Sequence, residues 1–251
     1  MSATAPPTKP LPNAATAAAA LAPGKRQLLD AALRLCQDGR ALSSLGLREL
    51  AREAGLNPNT FYRHFNDLDE LGLCLLDEIA GQLRGPLSEL RYAAAARSEL
   101  DATPRPQLLG LDMGRGRQVV HETVNLFFDF VDRHPHAFMV GVRELHGPSP
   151  VLRDALQRMM DDFADDIRRD CRKLELLPEG LAEHQLEQLA LLITHTLFRQ
   201  ALDYLMQPEQ HTLIRALTEE HVLMLATGAA VLQHVDQLRL PVKPAKSRDQ
   251  R

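Results

Sequence analysis

The chain has 251 residues, of which 45% are hydrophobic and 25% charged, with a formal net charge of -4. Such a balance argues against global disorder, and the length suits a small domain joined to a larger one. The negative charge argues against indiscriminate adhesion to nucleic acid or anionic membrane, so any DNA contact has to come from a local basic surface.

Leu and Ala dominate the apolar residues, Trp is absent and alternating β-branched runs are scarce, which predicts an all-α fold. Residues 1–23 are rich in Pro and Ala and poor in charge, and are expected to form a flexible arm. They carry no charged-then-apolar signal pattern, and no apolar run approaches the roughly 18 residues needed to span a membrane. With three widely spaced cysteines, Cys36, Cys74 and Cys171, set in helical patterns rather than ligand pairs, a reducing cytoplasm is the expected location.

A first helix is expected after Gly24, with Leu28, Leu29, Ala32, Leu33 and Cys36 on one face and Gly39 ending it. A short second helix over 47–54 aligns Leu47, Leu50, Ala51 and Ala54. Gly55 can then take the left-handed conformation of a tight turn. Asn57 is a good N-cap and Pro58 needs no N–H at the first helical position, so a third helix starts sharply there and buries Phe61 and Phe65. Asp67 and Glu70 resemble a capping box for a fourth helix, striped by Leu68, Leu71, Leu75 and Ile79, which should fade near Gly85 and Pro86.

Residues 98–117 collect Pro, Gly and charge and read as a loop. Helical segments are then expected over 118–134, 136–146, 150–175, 182–206 and 210–238, separated by Pro135, Pro148, Pro178 and Pro208. This divides the chain into an arm over 1–23, a head over 24–85, a larger helical body over 86–240 and a flexible tail over 241–251.

Two short helices joined by a Gly-containing turn, the second capped by Asn-Pro, form a helix-turn-helix signature. Asn59, Thr60, Tyr62, Arg63 and His64 crowd the polar side of its second helix opposite Phe61 and Phe65, and these residue types read base edges and phosphates. Lys25, Arg26, Arg48 and Arg52 are placed to grip backbone phosphates, although Arg52 reads equally as a solvated surface charge. Plain helical hairpins share the outline; the outward chemistry is what favours double-stranded DNA as partner.

The stretch LRELAREAGLNPNTFYRHFNDLDELG, residues 47–72, resembles the DNA-binding signature of the TetR family of bacterial regulators. The resemblance implies contacts to DNA from Arg48, Pro58, Asn59, Thr60, Tyr62, Arg63 and His64. It also implies a three-helix head on a larger ligand-binding and dimerisation domain. LGLREL, FYRHFNDLDELG and HPHAFMVGVRELHG are further similar to the FabR and DesT type of repressor of unsaturated fatty-acid synthesis, which implies a long-chain acyl-CoA or acyl carrier protein thioester as effector. No cofactor is expected beyond that effector.

In the body, Phe127, Phe130, Phe138, Met139, Met160 and Phe163 are candidates to line a cavity for a small hydrophobic effector, with Arg143 at its polar end or paired internally; core packing is the competing role for each. Leu186, Leu189, Ile193, Leu197 and Ala201, then Leu213, Leu217, Met224 and Val231, fall at helical spacing on two segments able to pair across a two-fold axis, with Ala226, Gly228, Ala229 and Ala230 permitting close approach. A homodimer implies a near-palindromic operator. The groupings His134/His136 and His184/His195 lack metal spacing, and no nucleophile elbow, phosphate loop or HExxH motif is present, so neither a metal centre nor an enzyme is expected. The competing functions are a TetR-type regulator answering a drug or another hydrophobic metabolite, and an architectural DNA-binding protein.

Overall fold

A computed structural model describes residues 21–37, 40–99, 106–109, 111–177 and 180–241. Residues 1–20 of the expected arm over 1–23, the helix stop at Gly39, Pro178 and residues 242–251 of the expected tail over 241–251 lie outside these. The described residues are almost wholly helical: α1 (Pro23–Leu35), α2 (Leu47–Glu53), α3 (Pro58–Phe61), α4 (Leu68–Glu99), α5 (Met113–Arg133), α6 (Pro135–Glu144), α7 (Pro150–Lys173), α8 (Glu183–Met206) and α9 (His211–His234). The all-α fold expected from composition is the one found.

Short elements build the head. Pro23 occupies the first turn of α1, where its missing N–H costs nothing, so the helix begins a residue before Gly24. Gly55 takes φ +69 between α2 and α3, a conformation L side chains resist. The Asn57 side chain then accepts the N–H of Asn59 at 3.0 Å and starts α3. Phe61 at the end of α3 and Phe65 in the turn region just past it join Leu28, Leu29, Leu50 and Leu71 in a closed core. Each such ring contributes about 1.5–3 kcal/mol by leaving water.

The fourth helix does not fade at Gly85 and Pro86; it runs on to Glu99. Pro86 deprives the Gln82 carbonyl of its helical partner, but both Gly85 and Pro86 face solvent, where water serves that carbonyl. The opposite face is pinned to α7 by a polar ladder. Arg84 meets Asp162 at 2.9 Å and Asp166 at 2.6 Å, Ser88 donates to Asp170 at 3.2 Å, and Arg91 meets Asp170 at 2.6 Å. Tertiary contact outweighs the local helix-breaking preference.

Arg91 and Asp170 are both buried, so neither charge can be abandoned cheaply. Asp170→Ala is expected to destabilise the protein by about 3 kcal/mol or more, because it leaves a buried guanidinium unpaired. Chemical denaturation at fixed protein concentration measures this, and a midpoint equal to wild type contradicts it.

Within 98–117, expected as a loop, α4 persists to Glu99, and a two-residue-per-strand hairpin, β1 (Gln107–Leu108) and β2 (Leu111–Asp112), leads into α5. Helix α5 begins at Met113 rather than 118 because the Asp112 side chain caps it, accepting the Arg115 N–H at 2.9 Å. Ser149 caps α7 in the same way. Helices α4 to α9 form the body around a second core rich in phenylalanine.

Head and body are not separated by a linker. Their shared core joins Leu42 and Leu76 to Val140, Leu152 and Leu156. Gly72 lets α4 approach so closely that a Cβ there would stand 2.7 Å from Leu152 and 2.8 Å from Leu42. Ser149 donates to Asp69 at 2.8 Å across the same junction.

Candidate nucleic-acid interface and ligand cavity

The residues picked out for DNA contact gather around α3, with differing engagements. Asn59, Tyr62, Arg63, Arg48 and Pro58 are exposed, Tyr62 to 63%, and Thr60 is half-exposed. Neither Arg48 nor Arg63 forms an ion pair among the described residues. Their guanidinium donors are therefore available outward. His64 lies against Gly24 at the start of α1, where a Cβ would meet its Nε2 at 2.7 Å. Lys25 sits over the Phe65 ring at 5.1 Å from its centroid, a cation–π contact that orients the ammonium beside α3.

Arg26 departs from the expected role. Its guanidinium turns along α1 and α4, meeting Glu78 at 2.5 Å and Asp30 at 3.9 Å, and the Glu78 hydrogen bond raises its pKa despite partial burial. A phosphate has to compete with a carboxylate already in place. Arg34 and Arg40 are likewise spent on Glu53 and Glu49, at 2.8 and 2.7 Å, bracing α1 and the following loop against α2. Helix α4 opens with Asp67 accepting the Glu70 N–H at 2.8 Å, while Glu70 reaches back to the Asn66 N–H at 2.7 Å. This differs by one residue from the reciprocal capping box expected from Asp67 and Glu70.

In the body, a cavity of about 410 Å³ lies between α4, α6, α7 and α8 on the side nearest the head. Of the candidate residues, Phe138, Met160 and Phe163 line it, joined by Leu76, Ile79 and Leu83 of α4 and by Phe198 and Leu202 of α8. Phe127 and Phe130 do not. They are buried in the surrounding core, Phe127 packed edge-on against Phe128 and Phe138. Met139, on another face of α6, is not among the lining residues either.

Arg143 also lies away from the cavity. It points toward the head, donating through Nη1 to the Cys36 carbonyl at 2.7 Å. Its neighbour Glu144, 2% exposed, accepts the Leu42 N–H at 2.7 Å, and its other oxygen, Oε2, is buried with no hydrogen bond among the described residues. Burial first, then the nearby Glu144 carboxylate, pushes the Cys36 thiol up to about 11, so it stays protonated and unreactive. Burial does the same to Cys171.

The polar groups that do reach the cavity are His146, His195 and Arg199, at its edge. Sequence reasoning missed Arg199. The available signal was its position on α8, one residue after Phe198 and four after His195, where a helix turns a polar group to the side of an apolar stripe.

Helix α9 carries Leu213, Leu217, Met224 and Val231 exposed, Met224 to 60%, along one stripe. The α8 set expected beside them is instead interior: Leu186, Leu189, Ile193, Leu197 and Ala201 are buried within the chain. Ala229 and Ala230 are buried as well, and of the four small residues Gly228 faces open space. Their small size serves packing inside the subunit. Among the described residues no cluster of three or more His, Cys, Asp or Glu is placed to hold a metal ion, and no helix is long and apolar enough to cross a membrane.

A helix-turn-helix head fused through one continuous helix to a cavity-bearing helical body is the build of a DNA-binding regulator. Residues 28–72 match the profile of the bacterial regulatory proteins of the tetR family. The head is thus a TetR-type DNA-binding domain. Among solved structures it is similar to the fatty acid degradation regulator FadR from Bacillus halodurans, at 16% identity over 83% of this chain and 97% of that one, TM-score 0.61. FadR from Bacillus subtilis in complex with stearoyl-CoA aligns at 13% identity over 81% and 98%, TM-score 0.56. The SmeT–triclosan complex aligns at 16% identity over 91% and 98%, TM-score 0.51. At such low identities the likeness shows the fold alone.

Proposed function

We propose that the chain is a cytoplasmic, homodimeric repressor that binds a near-palindromic operator through α3 and answers a long-chain acyl-CoA or acyl carrier protein thioester, in control of unsaturated fatty-acid synthesis or desaturation. The head over 24–85 reads DNA with Arg48, Asn59, Thr60, Tyr62, Arg63 and His64, assisted by Lys25, and the body over 86–240 carries the effector and the dimer. The exposed stripe of α9 is the dimer face, since a row of apolar side chains left in water favours a covering surface.

The observation that carries this reading is the 410 Å³ cavity, walled by apolar side chains and edged by His146, His195 and Arg199. An acyl chain gains about 0.8 kcal/mol per methylene buried there. The anionic part of its carrier meets the cationic Arg199 at the edge, although Asp203, 3.2 Å away, competes. FadR of Bacillus subtilis holds stearoyl-CoA in the same fold. A cis double bond bends the chain, so saturated and unsaturated effectors of equal length favour different helix arrangements.

SmeT, with triclosan, shows that this fold also accepts a compact drug-like ligand, which keeps a second reading in which the effector is another hydrophobic metabolite. A gel-shift titration on the palindrome nearest the gene, with stearoyl-CoA and oleoyl-CoA, separates the two. We expect operator affinity to move by at least fivefold with one thioester and to differ between them. No response to either discards the acyl reading and leaves the family assignment intact.

A further inference from the structure

We propose that a second cavity, farther from the head along the same helices, is a second compartment of the effector site, closed off by Phe198 and opened to receive the end of straight apolar chains too long for the head-proximal cavity. The ligand class rests on the reading of the body as an acyl-chain site; the two-compartment layout rests on geometry alone.

The two cavities follow one another along the same helices. On α4, Leu83 lines the first, Leu87 is buried one turn on, and Arg91 lines the second another turn further. On α7, Phe163 lines the first and Ile167, one turn along, the second. Helix α8 gives the same order with its numbering reversed, Phe198 before Ile193. The separation is about one helical turn along α7, roughly 5.4 Å and the thickness of a single layer of side chains, and it widens to two turns along α4.

That layer is aromatic. The Phe198 ring lies 5.5 Å from Phe163, 5.8 Å from Phe127 and 6.0 Å from Phe138. Phe127, Phe138 and Phe163 are buried, whereas Phe198 is half-buried, and so it is the ring with room to turn.

The second cavity measures about 100 Å³, against the roughly 150 Å³ at which a dry apolar cavity holds benzene. The Thr123 Oγ1 is buried without a hydrogen bond among the described residues, and Arg91, held by Asp170, lines the chamber. From Leu156 to Phe163 the first cavity spans about 10 Å along α7, and continuation to Cys171 extends this to about 22 Å. A flexible methylene chain can pass a turned ring; a broad rigid ligand cannot. Phe198 is thus a specificity-determining residue for chain length.

The test measures, by calorimetry, binding of octanoyl-, dodecanoyl- and stearoyl-CoA and of a parallel n-alkanol series to the full-length protein, its Ala226→Leu variant, which narrows the second chamber, and Phe198→Ala. Ala226→Leu is expected to weaken the longest chain about tenfold more than the medium one, and Phe198→Ala to strengthen the longest chain selectively. Equal effects on all lengths, or none, overturn the proposal. Length-selective effects with alkanols and no acyl-CoA binding uphold the two compartments and reject the acyl reading. Acyl-CoA binding without length selectivity does the reverse, and failure of both series to bind rejects both.

Discussion

Arg63→Ala and Tyr62→Ala are each expected to lower specific operator affinity by ten- to over a hundredfold while leaving the dimer intact by light scattering. Both side chains are exposed next to the short helix α3, Tyr62 touching the core through the edge-on contact of its ring with Phe61 at 5.6 Å, while the core itself is formed on the opposite side by Phe61 and Phe65. Their loss removes recognition without a folding defect. The magnitude follows from about 1–3 kcal/mol for each side chain that reads a base edge. By contrast Arg26→Ala should affect DNA affinity less than Arg63→Ala, since Arg26 is already held by Glu78. Specific affinity retained in both the Arg63 and the Tyr62 variants refutes the assigned reading surface; fluorescence anisotropy on operator and scrambled duplexes makes the comparison.

The second large effect is expected at α6. One face of this helix lines the head-proximal cavity with Phe138, Gly141 and Val142. Its end holds the head through Arg143 on the Cys36 carbonyl and Glu144 on the Leu42 N–H. A ligand that displaces α6 pulls on both bonds at once, at the loop between α1 and α2. Replacing both residues by alanine should therefore bring the operator affinities with and without stearoyl-CoA to within about twofold of each other. Ordinary allosteric couplings are about 1–3 kcal/mol, or roughly 5- to 150-fold. Binding of stearoyl-CoA itself should persist, because neither residue lines the cavity. An undiminished response in the double variant means that coupling runs through α4 instead.

Local chemistry made the head readable. Gly55 and Asn57-Pro58 specify a turn and a helix start within four residues, through one left-handed φ and one side-chain cap, and the aromatic pair at 61 and 65 declares the inner side. The body was readable as helices but not as a site. A phenylalanine that lines a cavity and one that fills a core have the same hydropathy and spacing, so Phe138 and Phe163 could not be told from Phe127 and Phe130. Charges posed the same difficulty: Arg26 and Arg63 look alike in sequence, and the partner that captures Arg26 lies 52 positions away on another helix.

The sequence alone determined the all-helical class, the position of the helix-turn-helix and the apolar stripe of α9, because caps, turns and helical periodicity are set by residues within a few positions of each other. Tertiary structure decided that α4 passes through Pro86, that Arg143 and Glu144 join body to head, and that Phe198 lines the head-proximal cavity while Leu197 beside it lines the second. Each of these depends on groups brought together from distant parts of the chain, and the packing energy gained there exceeds the local preferences that sequence reading can see.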